Sequence, residues 1–167
     1  MTVLSTNRLV LRHLTASDAP FVLRLLNEPS FLRFIGDRGV RTEAAARDYL
    51  ATGLWARYAD VGHGLYAVER KADEVVLGIC GLLKRDTLDA PDLGFALLPE
   101  HWGQGYAHEA AATILGQEVP ALGLDRVLAI TVPDNTASIA LLTRLGFRHE
   151  ATPDADAATV ERYVWTR

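Results

Sequence analysis

Cysteine is nearly absent from this chain. Cys80 is the one thiol among 167 residues, so no internal disulfide can form. Its setting in the apolar run VVLGICGLL reads as a buried, inert side chain rather than a nucleophile. No run approaches the ~20 apolar residues of a transmembrane helix. The opening MTVLSTNRLVLR has no signal-peptide core, so a cytoplasmic protein without a membrane partner is expected. Basic residues are not in excess: 17 Lys and Arg face 21 Asp and Glu, a net charge of −4. That argues against nonspecific nucleic-acid binding. The sequence has no HxxxH, no CxxC and no carboxylate cluster, so no metal site is expected. It has no GxSxG elbow and no GxxxxGK[ST] phosphate loop. With no repeat, low-complexity tract or linker, residues 1–167 read as one domain.

What is present is a regular alternation of elements. RLVLR (8–12) alternates like a short strand. Thr15 and Asp18 form a capping-box-like pair that opens a helix through about Asn27, with Phe21, Val22, Leu25 and Leu26 at helical spacing. Residues 29–41 read as irregular or as a short helix. Thr42 caps a second helix, predicted to run to about residue 60, with Ala46, Tyr49, Leu50, Gly53 and Leu54 inward. LYAVER (65–70), VVLGICGLLKR (75–85) and DLGFALL (92–98) follow as strands with short polar connectors, so they should be antiparallel neighbours. A helix from about Gln104 to Val119 is punctuated by Pro120 and Gly123. RVLAITV (126–132) suits a central strand covered on both faces. A helix from Asn135 to Leu145 ends at Gly146, and strands near 147–151 and 159–166 close the chain around the turn-rich TPDADAA. The unit 92–132 is a strand–helix–strand crossover, which needs a parallel pair and a right-handed connection. The fold class is a mixed α/β (α+β) domain, mostly antiparallel, with one central parallel pair and flanking helices.

The stretch 101-HWGQGYAHEAA-111 carries the chemistry. Gly103 and Gly105 stand at a strand-to-helix junction. They make either a tight turn that only glycine tolerates or a cradle of N–H groups for a phosphate-bearing ligand. A Rossmann fingerprint fits poorly, because the third glycine position is His108 and Asp125 precedes the second strand instead of ending it.

The run DLGFALLPEHWGQGYAHEAA from Asp92, with LGLDRVLAITVPDNTASIALLTRLGF (122–147), resembles the GNAT superfamily of acyl-CoA N-acyltransferases. It is most similar to the branch that includes the ribosomal-protein N-terminal acetyltransferases, and TNRLVLRHLTASDAPFVLRLL is similar to that branch's opening. The resemblance covers nearly the whole chain. The family's loop Q/R-x-x-G-x-G/A reads here W102-G-Q-G105-Y-A107, with Trp102 departing from the superfamily's first position. The resemblance implies acetyl-CoA as donor. Its pyrophosphate would bind the N–H groups of Gly103, Gln104, Gly105, Tyr106 and Ala107, next to Trp102. Its pantetheine would lie between two splayed parallel strands, pairing with backbone groups near Ala96, Leu97 and Leu98. It also places Asn135 on the pantetheine or on a catalytic water, and Ser138 beside the CoA sulfur as its proton donor. Many members use a tyrosine there, and this helix has none. As residues alone, Asn135 is a helix N-cap and Ser138 a first-turn residue.

Asp92 is the candidate proton acceptor, acting through water; the alternative is a solvated strand-end aspartate. His101 reads as a rim residue, and His108 and Glu109 as surface residues. The acceptor site would come from the loop 29–41, the helix 42–60 and Trp55, Tyr58 and Tyr66, whose alternative is core packing. The expected function is transfer of acetyl from acetyl-CoA to a primary amine, on a protein or peptide N-terminus or a small molecule, by direct attack in a ternary complex. The alternative is a non-catalytic acyl-CoA-binding module of the same fold. A homodimer is compatible with the sequence.

Overall fold

The computed structural model describes residues 2–150 and 160–167, without the side chains of residues 2 and 54–57. Strands β1 (Thr2–Ser5) and β2 (Leu9–Arg12) form the opening hairpin. Helices α1 (Ala19–Leu26), α2 (Pro29–Phe34), α3 (Glu43–Tyr49) and α4 (Trp55–Val61) follow. Then come β3 (Leu65–Arg70), β4 (Val75–Leu83), β5 (Asp92–Leu97), α5 (Tyr106–Thr113) and α6 (Val119–Ala121). The chain closes with β6 (Arg126–Thr131), α7 (Thr136–Arg144), β7 (Arg148–Glu150) and β8 (Glu161–Thr166). One eight-stranded sheet runs in the order β1-β2-β3-β4-β5-β6-β8-β7. Every neighbouring pair is antiparallel except β5 and β6, which are parallel. The expected mixed sheet with one parallel pair is therefore the one observed.

The sheet separates two apolar layers. Leu9 and Leu11 of β2, Tyr66, Val68, Leu77, Cys80 and Leu93 pack with Ala110, Ala111 and Ile114 on the α5 side. Ala67, Ile79 and Leu98 pack with Val22, Leu25, Phe31, Ala46 and Leu50 on the α1–α3 side. The alternation of RLVLR explains its half-buried strand, with Leu9 and Leu11 fully buried and Val10 and Arg12 half-buried. The continuous run of β6 buries Val127, Leu128 and Ala129 in succession.

Several boundaries differ from expectation, each for a local reason. The opening strand β1 is not legible in the sequence, because TVLS is too short for its alternation to register. The Asp18 carboxylate accepts from the Thr15 N–H at 2.6 Å, as a capping box should, but residues 16–18 form a 3-10 turn and the α-helix starts only at Ala19. Asp18 is also gripped by both terminal nitrogens of Arg12 at 2.9 Å, which ties this turn to β2. The helix capped by Thr42 widens into a π turn at Leu50–Leu54 before continuing as α4. The long helix after the glycine loop likewise passes through a π turn at Ile114–Glu118, and Pro120 lies inside its last turn instead of ending it. Gly146 closes α7: Phe147 N–H donates to Leu142 O and Gly146 N–H to Thr143 O, both at 3.0 Å. The connector 152–158, the last residue expected of strand 147–151 and the first expected of strand 159–166 lie outside the described residues.

Candidate functional site

The parallel pair is barely a pair. Its ladder has one rung, Asp92 opposite Leu128, with Leu128 N–H donating to Pro91 O at 2.9 Å. Beyond that rung β5 and β6 diverge, and the sheet opens as a wedge. The burial of β5 follows this shape: Asp92, Leu93 and Leu97 are buried while Gly94, Phe95 and Ala96 are half-buried, although the strand lies mid-sheet. Such a wedge leaves peptide groups without a strand partner, open to water, another part of the chain or a ligand.

Which groups face the wedge follows from the β4–β5 register. Leu98 N–H donates to Leu77 O at 2.9 Å, and Ala96 stands opposite Ile79 in the same ladder. Alternation along an antiparallel ladder then turns the peptide groups of Ala96 and Leu98 toward β4. The close packing of Ala96 O on Gly78, 2.3 Å from where a Cβ would stand, agrees. The groups of Phe95 and Leu97 turn toward β6. Leu97 O is already taken by the Trp102 indole N–H at 2.8 Å. Among the described residues this leaves Phe95 N–H and C=O and Leu97 N–H for an occupant of the wedge. The sequence points to the backbone near Ala96–Leu98 and not to that of Phe95, because an apolar side chain says nothing about its own backbone.

Beyond their open ends β5 and β6 each run into a turn. After β5, a short 3-10 turn (Pro99–His101) leads to Trp102, which is 52% exposed. Gly103 and Gly105 then take φ of +71° and +81°. Both are left-handed conformations that a side chain disfavours, so the turn reading of these glycines holds. The cradle reading is compatible with it. Among the described residues, and apart from its own chain neighbours, a Cβ on Gly103 would meet nothing within 4 Å, so that side of the loop is open. Gly105 is the N-cap of α5 and supplies no side-chain cap. The first-turn N–H groups of α5 thus point outward without a capping oxygen, which suits an anion.

After β6, Asn135 caps α7, its side-chain oxygen accepting from Ser138 N–H at 3.2 Å. Ser138 is half-buried, and its hydroxyl meets no hydrogen-bond partner among the described residues. Asp92 lies at the other, closed end of the wedge, about 17 Å along β5 from Leu97 at strand spacing. It is 1% exposed and bound by the Arg85 Nε at 2.9 and 3.1 Å. A solvated strand-end aspartate is therefore excluded.

Several expectations move. Glu109 is not a bare surface residue: Thr6, Arg8 N–H and the Arg8 guanidinium all converge on its carboxylate. Burial pushes its pKa up, but those hydrogen bonds outweigh it and hold the carboxyl below the usual glutamate value. Tyr66 is buried and donates to Glu118, and Tyr58 stacks on His13 with ring centroids 4.1 Å apart, so both belong to the core. Burial pushes the Tyr58 phenol up to about 12. Trp55's side chain lies outside the described residues. His101 is half-buried and lines a cavity of about 540 Å³ with Phe21, Arg24 and Glu100. Cys80 is fully buried, and burial pushes its thiol up, away from thiolate chemistry. Among the described residues no three His, Cys, Asp or Glu side chains gather as a metal site, and no helix is long and apolar enough to cross a membrane.

A mixed sheet with a splayed parallel pair, a glycine turn at the open end of one strand and a capped helix at the open end of the other define an acyltransferase-like α/β fold. Residues 8–148 match the acetyltransferase (GNAT) domain family, and the chain belongs to it. Among known proteins, an uncharacterised N-acetyltransferase of Bacillus subtilis, YoaA, is 29% identical over 150 residues, spanning 89% of this chain and 84% of its own. An acetyltransferase structure from Agrobacterium tumefaciens superposes with a TM-score of 0.83 at 24% identity, over 100% of this chain and 95% of that one. RimL, a ribosomal L7/L12 alpha-N-protein acetyltransferase solved with coenzyme A, superposes with a TM-score of 0.85 at 17% identity, over 99% of this chain and 98% of that one.

Proposed function

We propose that the chain transfers acetyl from acetyl-CoA to a primary amine by direct attack in a ternary complex. The wedge between β5 and β6 carries this reading. It exposes strand-edge peptide groups beside a loop of uncapped N–H groups, a pairing that matches an amide-bearing arm attached to a pyrophosphate. The loop residues Gly103, Gln104, Gly105, Tyr106 and Ala107, flanked by Trp102, hold the pyrophosphate. Phe95 and the Leu97 N–H pair with the arm as an added strand would. Acetyl-CoA supplies the thioester, whose C–S bond breaks as the amine nitrogen bonds to the carbonyl carbon. Ser138, with its hydroxyl uncommitted, gives a proton to the departing sulfur and regains one from solvent water, and Asn135 holds the turn that presents it. Water at the open mouth takes the proton that the amine loses. Held by Arg85 at the closed end, Asp92 serves as the anchor of the wedge. The acceptor is a protein or peptide N-terminus or a small-molecule amine.

The test is thiol release from acetyl-CoA across a panel of amines and N-terminal peptides, alongside CoA binding by calorimetry. Amine-dependent release supports the reading. Binding without release by any amine would turn it into the non-catalytic acyl-CoA-binding alternative, and absent CoA binding would sink both.

A further inference from the structure

The β1–β2 hairpin reaches the glycine loop through one side chain. Arg8 sits in the bend just before β2, far from the loop in sequence, yet its Nη1 donates to Gln104 O at 3.0 Å. Its Nε and Nη2 donate to Glu109 Oε2 at 2.7 and 2.6 Å. The guanidinium lies over the Tyr106 ring, 4.5 Å from its centroid. Nη2 also stands 3.4 Å from where a Cβ on Gly105 would be. One cation thus touches a backbone carbonyl before the helix, the ring of its first residue and the carboxylate one turn on. Thr6, from the same hairpin, completes the grip on Glu109.

We infer that Arg8 is a positioning residue for the donor site: it fixes the glycine loop in its anion-binding shape and offsets the Glu109 charge beside it. Two physical arguments support this. The loop takes two left-handed residues and has no side-chain cap, so its conformation has to be held from outside. A carboxylate in the first turn of α5 repels an incoming pyrophosphate unless a cation stands against it. A guanidinium meets both needs at once, because its planar fork can bind a carboxylate, donate to a carbonyl and stack on a ring. The inference rests on the donor reading above and adds to it a residue outside the loop motif.

The experiment compares acetyl-CoA with S-acetylpantetheine, which has the thioester arm but no pyrophosphate. Arg8→Ala should weaken CoA binding by on the order of tenfold or more. It should raise the KM for acetyl-CoA far more than it lowers kcat, and leave turnover of S-acetylpantetheine near the wild-type value. Arg8→Lys keeps charge but loses the fork, so it should recover part of the loss. Adding Glu109→Gln to Arg8→Ala should also restore affinity, because the uncompensated carboxylate is gone. Circular dichroism and thermal melting confirm folding, and Arg8→Lys serves if the alanine variant does not fold. CoA affinity within twofold of wild type in the folded variants would overturn the inference, as would equal losses with both donors. A wild-type chain that does not bind CoA would overturn the donor reading and this inference together.

Discussion

Asp92 of β5 stands opposite Leu128 of β6 in the one rung that joins the parallel strands, and Arg85 locks it there at 2.9 Å. Everything beyond that rung is the opening on which the proposed chemistry depends. The closed end of the wedge is thus an ion pair between a buried carboxylate and a half-exposed guanidinium, and the open end leads into two turns.

The ion pair should matter more to stability than to proton transfer. Arg85→Met removes a guanidinium from the buried Asp92 carboxylate and should destabilise the fold by about 1 kcal/mol, read by urea unfolding. Asp92→Asn should also lower stability, while the pH–rate profile of its remaining activity keeps the wild-type shape. Loss of the acidic limb in Asp92→Asn alone would instead make Asp92 the proton acceptor.

Gly103→Ala and Gly105→Ala separate turn strain from crowding. Each forces a side chain into a left-handed residue and should cost roughly 1 kcal/mol in unfolding free energy. The Cβ at 103 enters open space, whereas that at 105 abuts Arg8. Calorimetry should show the larger loss of CoA affinity at 105, and Gly105→Trp should abolish binding in a folded protein.

Ser138→Ala removes an uncommitted hydroxyl and leaves the Asn135 cap, which uses the Ser138 backbone N–H. kcat should fall about tenfold or more with CoA affinity unchanged. Asn135→Ala should cost ~1 kcal/mol of stability, and Asn135→Ser should restore the cap. If Asn135→Ser restores stability but not CoA affinity, the amide also touches the donor.

Glu118 predicts a pH dependence of stability. It is buried, and one carboxylate oxygen accepts from Tyr66 while Oε2 has no partner among the described residues. Burial pushes its pKa above the ordinary 4.5, and the Tyr66 hydrogen bond only partly opposes this. The folded state therefore holds a proton that the unfolded state releases above 4.5. Its stabilising contribution is complete below that pH and is lost as pH rises through the folded value. Glu118→Gln should raise the melting temperature at neutral pH, and the gain should vanish at pH 4 and below.

The chain order of strands, the crossover and the glycine pair are legible in residues alone, because period-2 and period-3.6 patterns and turn residues act locally. RLVLR, RVLAITV and the PDN cap show this. So does the loop WGQGYA, whose two glycines must bend whatever they bind. The family resemblance came from the same segments.

Tertiary structure decided what those segments leave open. Nothing in DLGFALL says that its partner β6 leaves it after one rung, nor that Phe95 rather than Ala96 turns its peptide toward the gap. Ladder alternation depends on register with β4, which is a contact between segments distant in sequence. In sequence Arg8 reads as the start of a strand and Glu109 as a surface residue, 101 positions apart, and only the packing of the opening hairpin against α5 brings them onto one loop. Sequence determined the parts that local sterics and hydrophobic period control. The wedge, the Asp92 anchor and the Arg8 clamp depend on which strands meet and where they part, and only the folded sheet sets that.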